Sequence, residues 1–202
     1  MIVVVDYKLG NLFSVAKALE YAGAQVKVSS AAEDLRAATH IVLPGVGAFP
    51  QGMQNLRNAG LIEVLNEEVL EKKKPFLGIC LGMQLLADKG YEHEESAGLG
   101  WVKGEARKLE AGGLKVPHVG WNDVTAKEGS KLFEGIKQGS DFYFVHSYQL
   151  HCADPGAVAA TTTYGEAITA AVEQDNIYAV QFHPEKSQDV GLKLLENFLR
   201  HA

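Results

Sequence analysis

Cysteine is scarce in this chain, with two among 202 residues, Cys80 and Cys152. Such low usage argues against a disulfide-stapled secreted scaffold. The chain also opens directly on the apolar stretch M-I-V-V-V-D without a charged leader, and together these features predict a cytoplasmic protein. The cysteines and histidines lack the paired spacing of a structural zinc site. We therefore expect no metal and no other cofactor.

Long apolar runs and an excess of basic residues are missing as well. No run approaches the roughly 20 apolar residues that a membrane span requires. The formal net charge is −6, whereas a nucleic-acid-binding surface requires a basic stripe. We therefore expect the chain to bind neither a membrane nor a nucleic acid. Hydrophobic residues, in contrast, make up 47% of the chain, which is enough for one well-buried α/β core.

The apolar pattern predicts a single α/β domain spanning residues 1–202. In the first ninety residues, strands are predicted at 2–5, 25–28, 41–43 and 76–79, with helices at 11–21, 51–57 and 61–73. Because these strands are continuously apolar, both sheet faces must be covered, which is typical of an open, mostly parallel sheet flanked by helices. From about residue 99, glycine-punctuated strands at 103–109, 115–119, 142–149, 157–163 and 167–173 predict an antiparallel or mixed flank. A strand at 177–182 and a helix at 190–201 complete the fold.

The segment P-F-L-G-I-C-L-G-M-Q places Cys80 between two glycines, where a predicted strand passes into helical spacing that continues to Ala87. This is the layout of a nucleophile elbow, in which Gly78 and Gly82 remove side-chain bulk from a strained, closely packed turn. The turn would lift the sulfur above the sheet, aim a helix N-terminus at it and so favour the thiolate. It would also offer the Leu81 N–H as an oxyanion donor. The alternative is that Cys80 is a small buried apolar residue.

A cysteine nucleophile needs a base at the mouth of the same sheet, and of the seven histidines His183 fits best. It ends a predicted strand, which Pro184 stops because proline has no N–H to donate. Glu185 follows at once, so its carboxylate can fix the imidazole tautomer and stabilise the imidazolium. His146, in F-V-H-S-Y, is the remaining competitor, but it has no acidic neighbour and is predicted to contact substrate at most. The other five histidines, His118 among them, fit poorly.

Ligands of an open α/β sheet lie outside the carboxyl ends of its strands, so the loops at those ends belong together. They are D-Y-K-L-G-N (6–11), P-G-V-G (44–47), the Cys80 elbow, H-S-Y (146–148) and H-P-E-K-S (183–187). The two glycines around Val46 allow a peptide to flip and present an N–H to a tetrahedral oxyanion. By itself, however, P-G-V-G is typical of a plain tight turn.

These motifs carry a family resemblance. G-I-C-L-G-M-Q, P-G-V-G, Q-F-H-P-E and the overall length resemble the class I glutamine amidotransferases, whose cysteine, histidine and glutamate hydrolyse glutamine to glutamate and ammonia. Within this family, the blocks D-Y-K-L-G-N-L, P-G-V-G-A-F, V-P-H-V-G-W-N, F-Y-F-V-H-S-Y and Q-F-H-P-E-K-S span the chain in order. They closely resemble the glutaminase subunits of imidazole glycerol phosphate synthase in histidine biosynthesis. A glutaminase subunit that serves another synthase is the nearest alternative, and V-P-H-V-G-W-N distinguishes the two.

The resemblance implies a single-domain class I glutamine amidotransferase fold and a role for each motif. It implies the catalytic residues Cys80, His183 and Glu185, the oxyanion-binding residues Gly45, Val46, Gly47 and Leu81, and the glutamine-contacting residues Gln84, Glu92, His146, Ser147 and Tyr148. In the stretch after Glu92, Glu94 and Glu95 remain alternatives to it. A scaffold protein of this fold without catalysis is disfavoured by the complete Cys-His-Glu set. A thiol hydrolase or chaperone on a flavodoxin-like scaffold would need neither the H-P-E turn nor the P-G-V-G loop.

The resemblance also implies a partner, because ammonia released into water would be protonated and the chain has few residues left for a synthase domain. The family partner is a (β/α)8 cyclase subunit, which forms a heterodimer, receives the ammonia and makes imidazole glycerol phosphate and an aminoimidazole carboxamide ribotide. The interface candidates are Asn11, Trp121, Asn122, Tyr143 and Lys186. For Trp121, ordinary core packing is the alternative. We expect the P-G-V-G peptide to be misoriented until the partner binds its nucleotide ligand, since idle turnover would waste glutamine.

Overall fold

The structure, a computed structural model, describes residues 1–201. The strands are β1 Ile2–Val5, β2 Val26–Ser29, β3 His40–Gly45, β4 Phe76–Cys80, β5 Lys89–Gly90, β6 Ser96–Ala97, β7 Gly104–Lys108, β8 His118–Ala126, β9 Ser140–His146, β10 Tyr148–Cys152, β11 Val158–Tyr164, β12 Glu166–Gln174 and β13 Ile177–Val180. The helices are α1 Leu12–Tyr21, α2 Ala32–Ala37, α3 Phe49–Asn58, α4 Leu61–Leu65, α5 Leu81–Gln84 and α6 Gln188–His201. A π-helical stretch, Asn66–Glu71, prolongs α4, and short 3₁₀ turns cover Pro155–Ala157 and Pro184–Lys186.

The larger sheet has nine strands in the order β2-β1-β3-β4-β13-β12-β11-β8-β9. From β2 to β13 neighbouring strands are parallel, and from β13 to β9 they are antiparallel. A smaller sheet, β10-β7-β5-β6, lies beside it. The α/β class and the antiparallel flank predicted from the apolar pattern are confirmed.

Helices bury both faces of β1, β3, β4 and β13, which is why these strands are predominantly apolar, whereas the edge strand β2 is partly exposed. Every residue of β1 and of β4 is buried. On one face the strands pack with α1 and α6, through side chains such as Leu19 and Phe198. On the other they pack with α3 and α4, through side chains such as Leu56 and Val64. The carboxyl ends of β1, β3, β4 and β13 therefore open at one common edge.

Several local predictions were wrong in ways that bear on that edge. The strand predicted at 115–119 starts only at His118, after Pro117, and runs on to Ala126 as β8. The strand predicted at 142–149 is two strands in different sheets, β9 and β10, separated at Ser147. Sequence reasoning also missed α2, a helix of six residues that is too short to show a clear periodicity.

Within residues 1–201, no helix combines the length and the apolar character needed to cross a membrane.

Candidate active site

Cys80 stands where β4 turns into α5, with φ 54° and ψ −108°. A non-glycine residue held in such a backbone conformation costs of order 1–3 kcal/mol, so its surroundings must enforce it. Gly82 allows the close approach that does so, because a Cβ at this position would lie 1.8 Å from the carbonyl oxygen of Leu43. A Cβ at Gly78 would lie 2.8 Å from the carbonyl oxygen of Gly82. The elbow predicted from the glycine spacing is present.

The helix behind the elbow is shorter than the sequence predicted. It is a single turn, Leu81–Gln84, rather than a helix reaching Ala87. Since the field at a helix N-terminus sums over aligned peptide dipoles, one turn contributes little. Stabilisation of a Cys80 thiolate must therefore come from neighbouring side chains.

His183 is the main such neighbour. Its imidazole lies beside Cys80 in the cleft, and its Nδ1 lies 2.8 Å from Oε1 of Glu185. Burial by itself lowers the pKa of His183, but the hydrogen bonds to Cys80 and Glu185 and the charges of both outweigh burial and raise this pKa to about 9. At neutral pH His183 is therefore an imidazolium, which stabilises a thiolate beside it.

Gln181 is a second neighbour of the sulfur, and sequence reasoning missed it. Its Nε2 donates to the Cys80 Sγ at 3.7 Å, and its Oε1 accepts from Nε2 of Gln84 at 3.1 Å. The available signal was its position two residues before His183 in the strand predicted at 177–182, because alternation in a strand places such residues on one side. In the structure β13 ends earlier, at Val180. Gln181 is fully buried, so the amide orients Gln84 and the sulfur together.

The H-P-E turn that carries His183 is fixed from β9. The main-chain N–H of His183 donates to the carbonyl of Tyr143 at 2.9 Å. Ser187 closes the turn, since its hydroxyl donates to the His183 carbonyl at 2.7 Å and accepts from the Tyr143 N–H at 3.1 Å. The antiparallel flank of the sheet therefore positions the histidine, while the parallel half positions the cysteine.

A cleft of about 450 Å³ opens over the elbow, a size within the range of roughly 300–1,000 Å³ usual for small-molecule sites. The residues proposed from sequence that line it are Val46, Gly47, Cys80, Leu81, Gln84, Glu92, His146, Ser147, Tyr148, His183 and Lys186. Gly45 lies beneath it in β3, where a Cβ would meet the hydroxyl of Tyr7 at 2.1 Å. Glu185 lies behind His183 and is buried.

Glu92 is the one carboxylate among the described residues that line the cleft. Its Oε2 accepts a hydrogen bond from the Phe49 N–H at 2.8 Å. The two alternatives left open by the sequence lie elsewhere: Glu94 is exposed, and Glu95 pairs with Lys89 at 3.4 Å. The structure therefore brings Glu92, rather than its neighbours, to the cleft.

The segment from His146 to Tyr148 crosses from β9 to β10 at the cleft wall. The carbonyl of Tyr148 lies 2.8 Å from both His146 Nδ1 and Gln84 Nε2. Burial, together with the nearby His118 and His183, lowers the pKa of His146 to about 4 against the opposing effect of the Tyr148 carbonyl. His146 is therefore neutral at pH 7, and His183 is the histidine suited to exchange protons with Cys80.

The aromatic interface candidates lie beside the cleft on the antiparallel flank. Trp121 is 48% exposed on β8, so the alternative of core packing is wrong. Its ring lies 5.7 Å from that of Tyr143 on β9, and Nζ of Lys186 lies 5.9 Å from the Tyr143 ring centre. Asn122 faces the other side of β8 and contacts His118. Asn11 accepts from the Ser14 N–H at 3.4 Å and so caps α1.

In the part of the chain that the structure describes, no three His, Cys, Asp or Glu side chains are grouped in a way that could hold a metal ion. The chemistry available at the cleft is that of a cysteine sulfur, an imidazolium, a carboxylate and main-chain N–H groups.

Known proteins resemble this chain over its whole length. Residues 3–202 match the family model described as glutamine amidotransferase class-I. A Campylobacter jejuni protein described as imidazole glycerol phosphate synthase subunit HisH 1 is 51% identical over 201 residues, covering 99% of this chain and 100% of that protein. An Aquifex aeolicus protein described as imidazole glycerol phosphate synthase subunit HisH is 52% identical, covering 99% of this chain and 96% of that protein.

A solved structure shares the fold at low sequence identity. A chain in the structure of PurLQS from Thermotoga maritima superimposes with a TM-score of 0.77 at 20% identity, covering 99% of this chain and 97% of that chain. At this identity the likeness concerns the fold alone.

Proposed function

The chain belongs to the class I glutamine amidotransferase family and, within it, to the glutaminase subunits of imidazole glycerol phosphate synthase, and from this premise we propose which residues perform each step. The enzyme hydrolyses glutamine to glutamate and ammonia in histidine biosynthesis, and it works with a partner subunit. The strongest support for these roles is the position of His183, which lies beside both Cys80 and Glu185 at the floor of the cleft.

In the first half of the reaction, the Cys80 thiolate attacks the side-chain amide carbon of glutamine. The carbonyl oxygen becomes an oxyanion, which the N–H groups of Leu81 and of the Val46–Gly47 peptide stabilise. The His183 imidazolium donates its proton to the amide nitrogen, the C–N bond breaks and ammonia leaves. The product is a thioester between Cys80 and the glutamyl group.

In the second half, a water molecule replaces ammonia in the cleft. His183 is now a neutral base, and it takes a proton from the water as the oxygen attacks the thioester carbon. The C–S bond breaks, glutamate leaves and the thiolate–imidazolium pair is restored. Glu185 holds the imidazole in one tautomer throughout and stabilises its charged form.

Recognition of glutamine uses the rest of the cleft. The carboxylate of Glu92 pairs with the α-ammonium of glutamine, since it is the acidic group at the wall. Gln84 and the segment His146–Tyr148 contact the remainder of the substrate. Because Gln84 also contacts Gln181 and the Tyr148 carbonyl, its orientation is set before substrate arrives.

The proposed partner subunit is a (β/α)8 cyclase, which forms a heterodimer with this chain and receives the ammonia. Exposed apolar side chains near the cleft support a docking face there: Val46 is 44%, Val119 55% and Trp121 48% exposed. Tyr143 and Lys186 extend this face, and Asn11 is its remaining proposed member. The sequence-based proposal of Asn122 as an interface residue does not fit, because its side chain faces the other side of β8 and contacts His118 and the Thr163 carbonyl. A partner seated on it would close the cleft and keep ammonia from water.

We take residues 1–202 as one glutamine amidotransferase domain. We also propose a cytoplasmic location, since both cysteines are free thiols, as expected in a reducing compartment.

The deciding experiment measures glutamate release from glutamine by this chain alone and with a histidine-pathway cyclase barrel plus its ribonucleotide ligand. We expect weak turnover by the chain alone, strong ligand-dependent turnover with the partner, and none after Cys80→Ala. Cys152→Ala is the matched control and should leave turnover intact. Stimulation by a different synthase would support the glutaminase mechanism but overturn the assignment to histidine biosynthesis. Strong activity of the chain alone would contradict the expectation that the P-G-V-G peptide is misoriented without the partner.

A further inference from the structure

A hydrogen-bonded chain of side chains runs from β8 to the glutamine-binding wall of the cleft. Asn122 Nδ2 lies 3.3 Å from His118 Nε2, His118 Nδ1 lies 2.9 Å from His146 Nε2, and His146 Nδ1 lies 2.8 Å from the Tyr148 carbonyl oxygen. His118 and Asn122 lie four residues apart on β8 and so share one face of the strand. The register of β8 on β9 places His118 directly opposite His146.

The direction of this chain is determined independently at each end. At one end, the Tyr148 carbonyl can only accept, so the His146 proton must be on Nδ1, and Nε2 of His146 accepts from His118 Nδ1–H. At the other end, the amide of Asn122 is oriented by two further bonds, Nδ2 to the Thr163 carbonyl at 3.0 Å and Oδ1 from the Asp123 N–H at 3.0 Å. Its Nδ2 therefore donates to His118 Nε2, which again leaves the His118 proton on Nδ1.

Both rings are held in place and uncharged. His118 is 2% exposed and is stacked between Phe144, with ring centres 4.8 Å apart, and Tyr164, at 4.0 Å. Burial lowers the pKa of His118 to about 4, as it does that of His146. A neutral imidazole has one donor nitrogen and one acceptor nitrogen, so all the hydrogen bonds along such a chain must run in the same direction.

We propose that Asn122, His118 and His146 are positioning residues whose one-directional hydrogen-bond chain holds the Tyr148 main chain in its glutamine-binding conformation. The inference rests on the proposed glutaminase function for its kinetic consequence. Reversing the chain would turn the His146 Nδ1 lone pair toward the Tyr148 carbonyl lone pair, and the resulting repulsion would displace the wall on which Gln84 also depends.

The test compares Asn122→Asp, which replaces the donor by an acceptor of the same shape, with Asn122→Ala, which removes the donor without imposing a direction. Both lose the bond to Thr163, so the pair isolates the effect of polarity. Thr125→Asp adds the same charge at an exposed site on the same strand and serves as a charge control. The ring ¹⁵N spectra of histidine-labelled full chain report the tautomers, and glutaminase kinetics are measured with saturating partner and its ligand.

In the wild-type chain we expect His118 and His146 to carry the proton on Nδ1. Asn122→Asp should move it to Nε2 of both rings, and should raise the KM for glutamine about tenfold, the value of one lost hydrogen bond, with a smaller change in kcat. Asn122→Ala should keep the wild-type tautomers and raise KM by less than Asn122→Asp does, because it removes a hydrogen bond without reversing the chain. Thr125→Asp should keep the wild-type tautomers and a KM within about twofold of wild type. A wild-type His146 protonated on Nε2, or equal KM effects of Asp and Ala at position 122, would overturn the proposal. Because the spectra need no turnover, they judge the hydrogen-bond chain even if the glutaminase assignment fails.

Discussion

The side-chain Oε2 of Glu92 accepts a hydrogen bond from the main-chain N–H of Phe49 at 2.8 Å. Phe49 is the first residue of α3, which follows the P-G-V-G-A segment without a gap. A single carboxylate therefore borders the cleft over Cys80 and anchors the helix behind the P-G-V-G loop. Two consequences of this arrangement can be separated by substitution.

Glu92→Gln removes the charge but keeps an oxygen that can accept from Phe49. We expect the KM for glutamine to rise about 10- to 100-fold, the usual cost of losing a charged hydrogen bond. The free energy of unfolding should be nearly unchanged. Glu92→Ala should in addition cost about 1 kcal/mol of stability, because the first turn of α3 loses its cap. Steady-state kinetics measure the KM, and denaturant unfolding measures the stability. Glu94→Gln, at an exposed position, is the control. An unchanged KM in Glu92→Gln would remove Glu92 from substrate binding.

Glu185→Gln tests the orienting role of the carboxylate at 2.8 Å from His183. An amide can favour the wrong imidazole tautomer and cannot stabilise the imidazolium, so kcat should fall about 10³- to 10⁴-fold, as in other triads. The pKa of His183 should fall from about 9, which NMR titration of the ring measures. Glu196→Gln, on the exposed face of α6, is the control. Full activity in Glu185→Gln would exclude the triad.

Stability should depend on pH on both sides of neutrality. The pKa of His183 is about 9, above its ordinary 6.5, so its contribution is complete below pH 6.5 and disappears as the pH rises through 9. The pKa values of His118 and His146 are about 4, below 6.5, so their contribution is complete above pH 6.5 and disappears as the pH falls through 4. The free energy of unfolding, measured in urea from pH 4 to 10, should therefore peak near neutral pH.

Cys80→Ala provides the control for this profile. It removes a hydrogen-bond partner and a charge that raise the pKa of His183, so the decrease on the alkaline side should flatten while the decrease on the acidic side stays. An alkaline decrease of the same size in Cys80→Ala would mean that the contact with Cys80 does not raise this pKa.

Gly82→Ala tests the close packing behind the elbow. A Cβ there would lie 1.8 Å from the Leu43 carbonyl oxygen, so β3 and α5 must separate. We expect a loss of about 3 kcal/mol or more, at the upper end of overpacking effects. Gly23→Ala is the control, because φ is +96° there but no atom lies within 4 Å of the added Cβ. It should cost about 1 kcal/mol from backbone strain alone. Equal losses in urea unfolding would contradict the steric argument.

Trp121→Ala should weaken the partner complex without unfolding the chain, since the side chain is 48% exposed. Exposed tryptophans at the centre of an interface commonly contribute 2 kcal/mol or more, so the Kd should rise about 30-fold. Calorimetric titration with the cyclase subunit measures this. Tyr21→Ala, at the far end of α1 and 79% exposed, is the control and should leave the Kd unchanged. A Kd unaffected by Trp121→Ala would show that the docking face does not include this part of β8.

How far sequence reasoning reached depended on the range of the contacts involved. The elbow at Cys80 and the H-P-E turn at His183 are recognisable because glycine, proline and a carboxylate act within a few residues of one another. Gln181 was missed and His118 was judged a poor candidate, although both lie inside quoted motifs, because their partners are 101 and 28 residues away in the chain. The length of α5 was also not predicted, since the helical spacing continues to Ala87 but the helix ends at Gln84.

The sequence by itself determined the α/β class, the family and the residues available for thiol chemistry, because continuous apolar strands and short motifs encode these locally. Only the tertiary structure decided that Glu92 rather than Glu94 reaches the cleft, that Trp121 is exposed and that His118 contacts His146. The position of Glu92 follows from the connection between β5 and β6 and its hydrogen bond to Phe49, whereas the other two outcomes follow from the register of β8 on β9. Register is set by the packing of the whole sheet, and no local pattern specifies it.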